Sequence, residues 1–448
     1  MLKRISYLAT NVVVTLALAL PPAEAQQRRI TFVRDAEIEN TIRAFATPLF
    51  GAAGLDPAAT QVHLVNDPSL NAFVANGLNM FINTGLLARS ENAGQVIGVI
   101  AHETGHIMGG HLARLREGLK GALAESIVAL VLGAAAAVAS GRPDAGAAVI
   151  AGGLQSAERG ILRYNRELES SADQSAINLL DRTGQSAQGL AEFLDILADQ
   201  ELLTENRQDP YVRTHPISRE RVEFVRNHVA QSRYSNVPPK REFVEMHARM
   251  RAKLHGYIDP PRALRLYPET NNALEARYAR AMAYSRQPDY PRALAQMDSL
   301  IAERPNDAYF IETKGQILFE AGRPAEALPL YERAAQLLPD EALIRIGLAQ
   351  TQLEFDDPKM TKAAIANLEL ARRHESDNGS LWRLLTIAYG RDGQLGMTAL
   401  AQAERAFLQN RKAEARAHAE RAERILPSGS PAWLRAQDIR QAAQRERN

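Results

Sequence analysis

The sequence predicts two domains of different class: a mainly helical α+β domain carrying a small antiparallel sheet, and after it an all-α solenoid of stacked helix pairs. Ala293, Met297, Leu300 and Pro305 return 34 residues later as Ala327, Tyr331, Ala334 and Pro339, the recurrence of a repeated helix–turn–helix unit. Two short alternating runs, Asn71–Val74 and Met80–Asn83, flank Asn76-Gly77, the strongest short-range hairpin signal. At 448 residues the chain is too long for one core. The Pro-Pro pairs at 238–239 and 260–261 bracket a helical stretch where the boundary is expected.

In order, the chain opens with Lys3 and Arg4, an apolar run through Val12 to Leu20, and Ala23-Glu24-Ala25. Basic, apolar, then small-x-small is a secretory signal, so residues 1–25 are expected to be removed and the mature chain to begin at Gln26. There is no cysteine, hence neither a disulfide nor a lipid-bearing thiol. With 53 basic and 52 acidic side chains and no basic block interleaved with aromatics, the chain lacks a nucleic-acid surface. A helix follows near Asp35 to Phe50, then a strand at Gln61–Val65 ended by Asn66-Asp67-Pro68, then the hairpin strands. The hairpin places Asn71, Ala72 and Phe73 in a strand beside the next helix.

That helix holds Ala101-His102-Glu103-Thr104-Gly105-His106. Residues four apart on a helix lie about 40° round and about 6 Å along, so His102 and His106 can clamp one ion from one face. Glu103 is turned away from that ligand direction and is suited to hold a water at the ion. The preceding Gln95–Ile100 is apolar enough to bury the helix, where unpaired ionisable groups cost several kcal/mol. Further on, Glu169 and Asp173 form a second i, i+4 pair. One carboxylate can complete the metal shell while the other accepts the outward N–H of a ligand histidine. His111 falls one short of a third ligand in the alternative pattern, which needs histidine where Leu112 stands. On a continuous helix it would face about 180° from His102, so it is read as structural or as supporting a ligand from outside. Residues 121–140 are apolar for nearly a membrane span, and 145–154 form a shorter apolar piece. With Glu125 and many small residues, they are read as a helical hairpin inside an insertion at about 115–157, lying over the cleft and able to touch a membrane or partner.

His102-Glu103-x-x-His106 followed by Glu169-x-x-Ala172-Asp173 resembles the gluzincin peptidases related to the prenyl-protein-processing and heat-shock membrane proteases. From leader to C-terminus the chain is similar to their periplasmic, soluble branch, the beta-barrel assembly-enhancing proteases, which carry tetratricopeptide repeats. The resemblance implies a zincin-like metallopeptidase domain over 26–237 and repeats over 238–448. It implies one zinc ion held by His102, His106 and Glu169, with Glu103 as catalytic base and Asp173 behind a ligand. It further implies that the Asn71–Phe73 edge strand lines the cleft, that His215 before Pro216 blocks the open metal position, and that Arg221 contacts the site or substrate. The implied partners are unfolded or misassembled outer-membrane proteins, and the outer-membrane assembly machinery through the repeats.

Weaker repeat copies follow at Ala364, Leu368 and Ala371 and at Ala415, Ala419, Ala422 and Pro427, with Trp382, Leu385 and Tyr389 marking another first helix. Such arrays bind through extended concave surfaces, so a cut near Pro238 is expected to part protease from partner binding. The competing function class is a chaperone or scaffold acting through its repeats with a latent protease site. It has no use for Glu103, which favours the peptidase.

Overall fold

The computed structural model describes residues 31–75, 78–111, 113–114, 165–201 and 209–445. The expected leader, the Asn76-Gly77 turn, Leu112 and the apolar 121–154 stretch lie outside them. Strand β1 (Phe32–Val33) leads into α1 (Ala36–Ala53), followed by β2 (Gln61–Val65), β3 (Ala72–Ala75) and β4 (Asn79–Asn83). Asp35 starts α1 by accepting the Ile38 N–H, and Gly54, at φ 73°, ends it. This is the start and stop chemistry that leaves few orphan backbone groups.

The strand order is β1-β2-β4-β3. β3 and β4 pair antiparallel as the hairpin signal requires, Phe73 opposite Phe81. β2, however, runs parallel to β4, with His63 opposite Phe81. The expected antiparallel sheet is therefore mixed. The cause is burial: β4 alternates Met80 and Ile82 into the core, so it takes the centre of the sheet and leaves β3 at the edge.

Helices α2 (Thr84–Arg89) and α3 (Ala93–Met108) follow, then α4 over 165–182, α5 (Gln188–Glu201), α6 (Pro210–Thr214) and α7 (Arg219–Gln231). One core joins Phe45 and Leu49 of α1, Met80 and Ile82 of β4, Val96, Val99 and Ile100 of α3, and Leu180 and Leu194 of α4 and α5. Two close helix crossings set its geometry. A Cβ on Gly105 of α3 would stand 2.7 Å from the Ala172 carbonyl oxygen of α4, and one on Gly98 would stand 2.8 Å from the Leu190 backbone of α5.

Beyond 238 come α8 (Arg241–Ile258) and α9 (Pro260–Leu266), then ten helices: α10 (Leu274–Arg286), α11 (Tyr290–Glu303), α12 (Ala308–Glu320), α13 (Pro324–Leu337), α14 (Ala342–Gln352), α15 (Pro358–Ala371), α16 (Gly379–Arg391), α17 (Leu395–Leu408), α18 (Lys412–Ile425) and α19 (Pro431–Arg445). Each packs on the next, as a solenoid requires. The recurring positions Ala293, Met297, Leu300, Ala327, Tyr331, Ala334, Ala364, Leu368 and Ala371 are all buried at these contacts. Helix α8 faces both ways: Phe243, Met250 and Leu254 enter the N-terminal core, while α10 packs along its other side. Among the described residues no helix is long and apolar enough to cross a membrane.

Candidate active site

The apolar run before the motif buries α3, and among the described residues its His-Glu-x-x-His turn meets α4, Tyr211 of α6 and His215 just after α6. Gly105 carries no side chain, which lets α4 approach within backbone contact and sets Glu169 and Asp173 against the two histidines. His102 Nε2 lies 3.1 Å from His106 Nε2 and 3.3 Å from Glu169 Oε2. His106 Nε2 lies 3.4 Å from Glu169 Oε1. Into the same point comes a fourth donor, His215 Nδ1, 3.1 Å from Glu169 and 3.4 Å from His102 Nε2. The four donor atoms all fall within 4.8 Å of one another, and all four residues are buried.

Three imidazole nitrogens and one carboxylate are the donor chemistry of a transition-metal site. Bonds of about 2.1 Å in a tetrahedron put neighbouring donors roughly 3.4 Å apart, the spacing found here. The electrostatics agree. Burial alone would lower the His102 pKa, but the hydrogen bonds and charges of Asp173 and Glu169 outweigh it and raise it to about 10. The carboxylates thus draw positive charge to this point. His106, by burial and by its positive neighbour His102, is held well below its usual range and keeps its lone pair free.

Behind the donors, Asp173 Oδ1 meets His102 Nδ1 at 2.8 Å, the outward carboxylate partner of a ligand histidine. Arg221 grips Asp173 through Nε at 2.6 Å and Nη2 at 3.0 Å, reaches Glu169 Oε2 at 3.0 Å and donates to the Pro216 carbonyl at 2.8 Å. Burial would raise the Asp173 carboxyl, yet the Arg221 charge and the hydrogen bonds of His102 and Arg221 hold it below the usual range. Glu169 is likewise held well below its range against burial, first by His215 and His102, then by Arg221. Arg221 therefore touches both carboxylates and the loop carrying His215.

Glu103 is fully buried beside the donors, and burial raises its pKa. Its Oε1 stands 3.5 Å from the Tyr211 hydroxyl and 3.6 Å from His215 Nε2, while Oε2 has no hydrogen-bond partner among the described residues. A carboxylate with one free buried oxygen next to a donor cluster is placed to exchange a proton with a reacting group. Tyr211 was not singled out from the sequence. It is buried, stacks on His215 at 4.3 Å between ring centroids, and lies one helical turn before it on α6. That i, i+4 spacing was the available signal.

The edge strand β3 packs against α3. Ala72 is buried, Phe73 stacks on Phe81 at 5.0 Å, and Asn71, just before the strand, takes the Asn83 N–H on its carbonyl while its buried side-chain oxygen has no partner among the described residues. His111 is also brought in: its Nδ1 reaches 3.0 Å from His106 Nδ1. It does not face away as a continuous helix would require, because α3 ends at Met108.

Residues 33–229 match Peptidase family M48. Over these residues, which carry the donor cluster, the chain resembles that family's metallopeptidases. A tetratricopeptide repeat is matched at residues 318–359. The M48 domain and repeats together resemble the beta-barrel assembly-enhancing protease of Escherichia coli K12, 27% identical over 374 residues that cover 80% of this chain and 69% of that protein. The putative beta-barrel assembly-enhancing protease of Vibrio cholerae is 26% identical over 381 residues, 83% of this chain and 77% of that one. Metalloprotease YcaL of Escherichia coli K12 is 30% identical over 179 residues, 40% of this chain and 64% of that one.

Proposed function

We propose that this chain is a periplasmic zinc endopeptidase that removes misfolded or stalled outer-membrane proteins, with its repeats holding the client or the assembly machinery. The observation that carries the peptidase reading is the convergence of His102, His106, Glu169 and His215 donors beside the free oxygen of Glu103. The names of the full-length relatives support the choice of client. His102, His106 and Glu169 would hold the ion, and bound zinc supplies a Lewis acid that polarises water and the scissile carbonyl.

The protein residues do the rest. Glu103 accepts the proton of the attacking water and returns it to the departing amine, a role helped by a pKa raised through burial. Asp173 and Arg221 fix the orientation of His102 and Glu169. An extended client would add to the free edge of β3 at Asn71 to Phe73, the common mode of strand capture by proteases. Catalytic zinc needs an open position, and His215 Nδ1 lies among the donors. His215 is accordingly a latch, held by Tyr211 stacking, that must swing out before substrate enters.

Glu103→Gln tests the mechanism: the variant should bind zinc and fold as wild type yet lose cleavage of an unfolded outer-membrane protein, as the wild type should with a chelator. Near-normal cleavage by Glu103→Gln overturns it.

A further inference from the structure

His106 is the ligand without a carboxylate behind it. Its Nε2 faces His102 and Glu169, so in the neutral, ligand-competent ring the proton must sit on Nδ1. What receives that N–H is His111 Nδ1, at 3.0 Å, with the two rings nearly perpendicular at 86°. His111 is buried, 2% exposed. It must then carry its own proton on Nε2, an atom that is buried and has no hydrogen-bond partner among the described residues. Leaving one buried polar atom unpaired has a cost, which the fold accepts in order to aim the other nitrogen at His106.

The backbone is built for this contact. Helix α3 stops at Gly109, and Gly110, at φ 59°, takes a left-handed conformation that turns the chain back. A Cβ on Gly109 would lie 2.0 Å from His111 Nε2, so only glycine leaves room for the ring. Two consecutive glycines thus serve one purpose, the seating of His111 against the second ligand histidine.

We propose that His111 is the positioning residue for His106: it holds that ring in the Nδ1–H tautomer and orientation that present Nε2 to the metal, as Asp173 does for His102. The inference rests on the zinc reading of the site. Outer partners of this kind set metal affinity by about 10- to 100-fold.

The test measures zinc affinity of the mature full-length protein by competition with a chromophoric chelator. His111→Phe keeps a buried ring but removes the acceptor, and should weaken zinc binding by about 10- to 100-fold. His111→Asn, whose Oδ1 can stand near the position of Nδ1, should recover most of that loss. If His111→Phe binds zinc within about twofold of wild type, or if His111→Asn is as weak as His111→Phe, the proposal is overturned. Nitrogen-15 histidine spectra of the zinc-loaded wild type give an answer that needs no variant. The proton should lie on Nδ1 of His106 and Nε2 of His111, and a proton on His111 Nδ1 refutes the assignment. A wild type that binds no zinc would instead sink the reading of the whole site, so the two failures are distinguishable.

Discussion

Arg221 is the cation shared by both carboxylates of the site, so its removal is an informative single change. Its guanidinium makes two contacts to Asp173 and one to Glu169 with all three side chains at most 2% exposed. Arg221→Met keeps most of the volume but leaves two carboxylates buried without their cation. Breaking a buried pair from one side costs about 3–5 kcal/mol. For a domain of this size each kcal/mol moves the melting temperature by about 2–4 °C, so the metal-free variant should melt roughly 6–20 °C below metal-free wild type at neutral pH. The pH dependence has a definite sign. Asp173 and Glu169 are held below their ordinary values of 3.8 and 4.5. Their contribution is therefore fully present above those values and is lost as pH falls through the lower folded values. In Arg221→Met the carboxylates lose that protection, so the gap between variant and wild type should narrow below about pH 4. Calorimetry of chelator-treated protein between pH 3 and 8 measures both. A drop under about 2 °C, or a gap independent of pH, would refute the argument that Arg221 neutralises the pair.

Three further expectations follow from the geometry. His215→Ala should raise basal proteolysis while zinc content stays the same, measured by turnover of a quenched peptide and by metal analysis; loss of metal or an unchanged rate ends the latch idea. Gly105→Ala must push α3 and α4 apart, since its Cβ meets the Ala172 backbone at 2.7 Å; zinc affinity should fall at least tenfold, as expected for displaced ligands, and an unchanged affinity would contradict the close crossing. A chain ending at Val237 loses Phe243, Met250 and Leu254 from the N-terminal core. At about 2–5 kcal/mol for each large buried side chain, that loss consumes a domain stability of about 5–15 kcal/mol. The truncated chain should lack a cooperative melt, whereas a chain ending after Ile258 should retain more of it.

How far the sequence could be read depended on how local each signal was. His102 with His106, and Glu169 with Asp173, are i, i+4 pairs, and helical periodicity alone turns each pair onto one face. The helix repeats were legible for the same reason, because small residues recur wherever paired helices touch. Gly105 occupies a free position of the motif, and its importance appears only once α4 is known to cross there. Tyr211 sits on a five-residue helix, and its i, i+4 spacing from His215 becomes a signal only once that helix is known. The parallel β2–β4 pairing was hidden because the hairpin rule sees only sequential neighbours, whereas the central place of β4 comes from burial on the assembled core. His111 was placed by assuming an unbroken helix, and the two glycines before it were the overlooked stop signal. Helix α8 reads in the sequence as a helical stretch between proline pairs at the expected domain boundary. Pro260 and Pro261 in fact open the next helix, a position proline favours, and α8 buries residues on both sides.

That double burial bears on how the repeats can act on the protease. Arg249 of α8 joins Glu37 of α1 at 2.7 Å to Asp307 at the start of α12 at 2.6 Å. Lys253 bonds Asp35 at 2.7 Å, and the Tyr278 hydroxyl of α10 donates to Glu37 at 2.5 Å. Swinging the repeats away from α1 would break several of these buried contacts at once. The two halves are therefore not beads on a linker. From its other side α8 holds the end of α2: His247 meets the Ser90 hydroxyl at 2.8 Å, and His255 meets the Ala88 carbonyl at 2.9 Å. Ser90 lies immediately before the turn that starts α3. A partner that shifts the repeats must move α8 with them, and α8 is bonded to the joint from which the His-Glu-x-x-His helix departs. Through α8, contacts therefore run from the repeats to the joint from which the His-Glu-x-x-His helix departs.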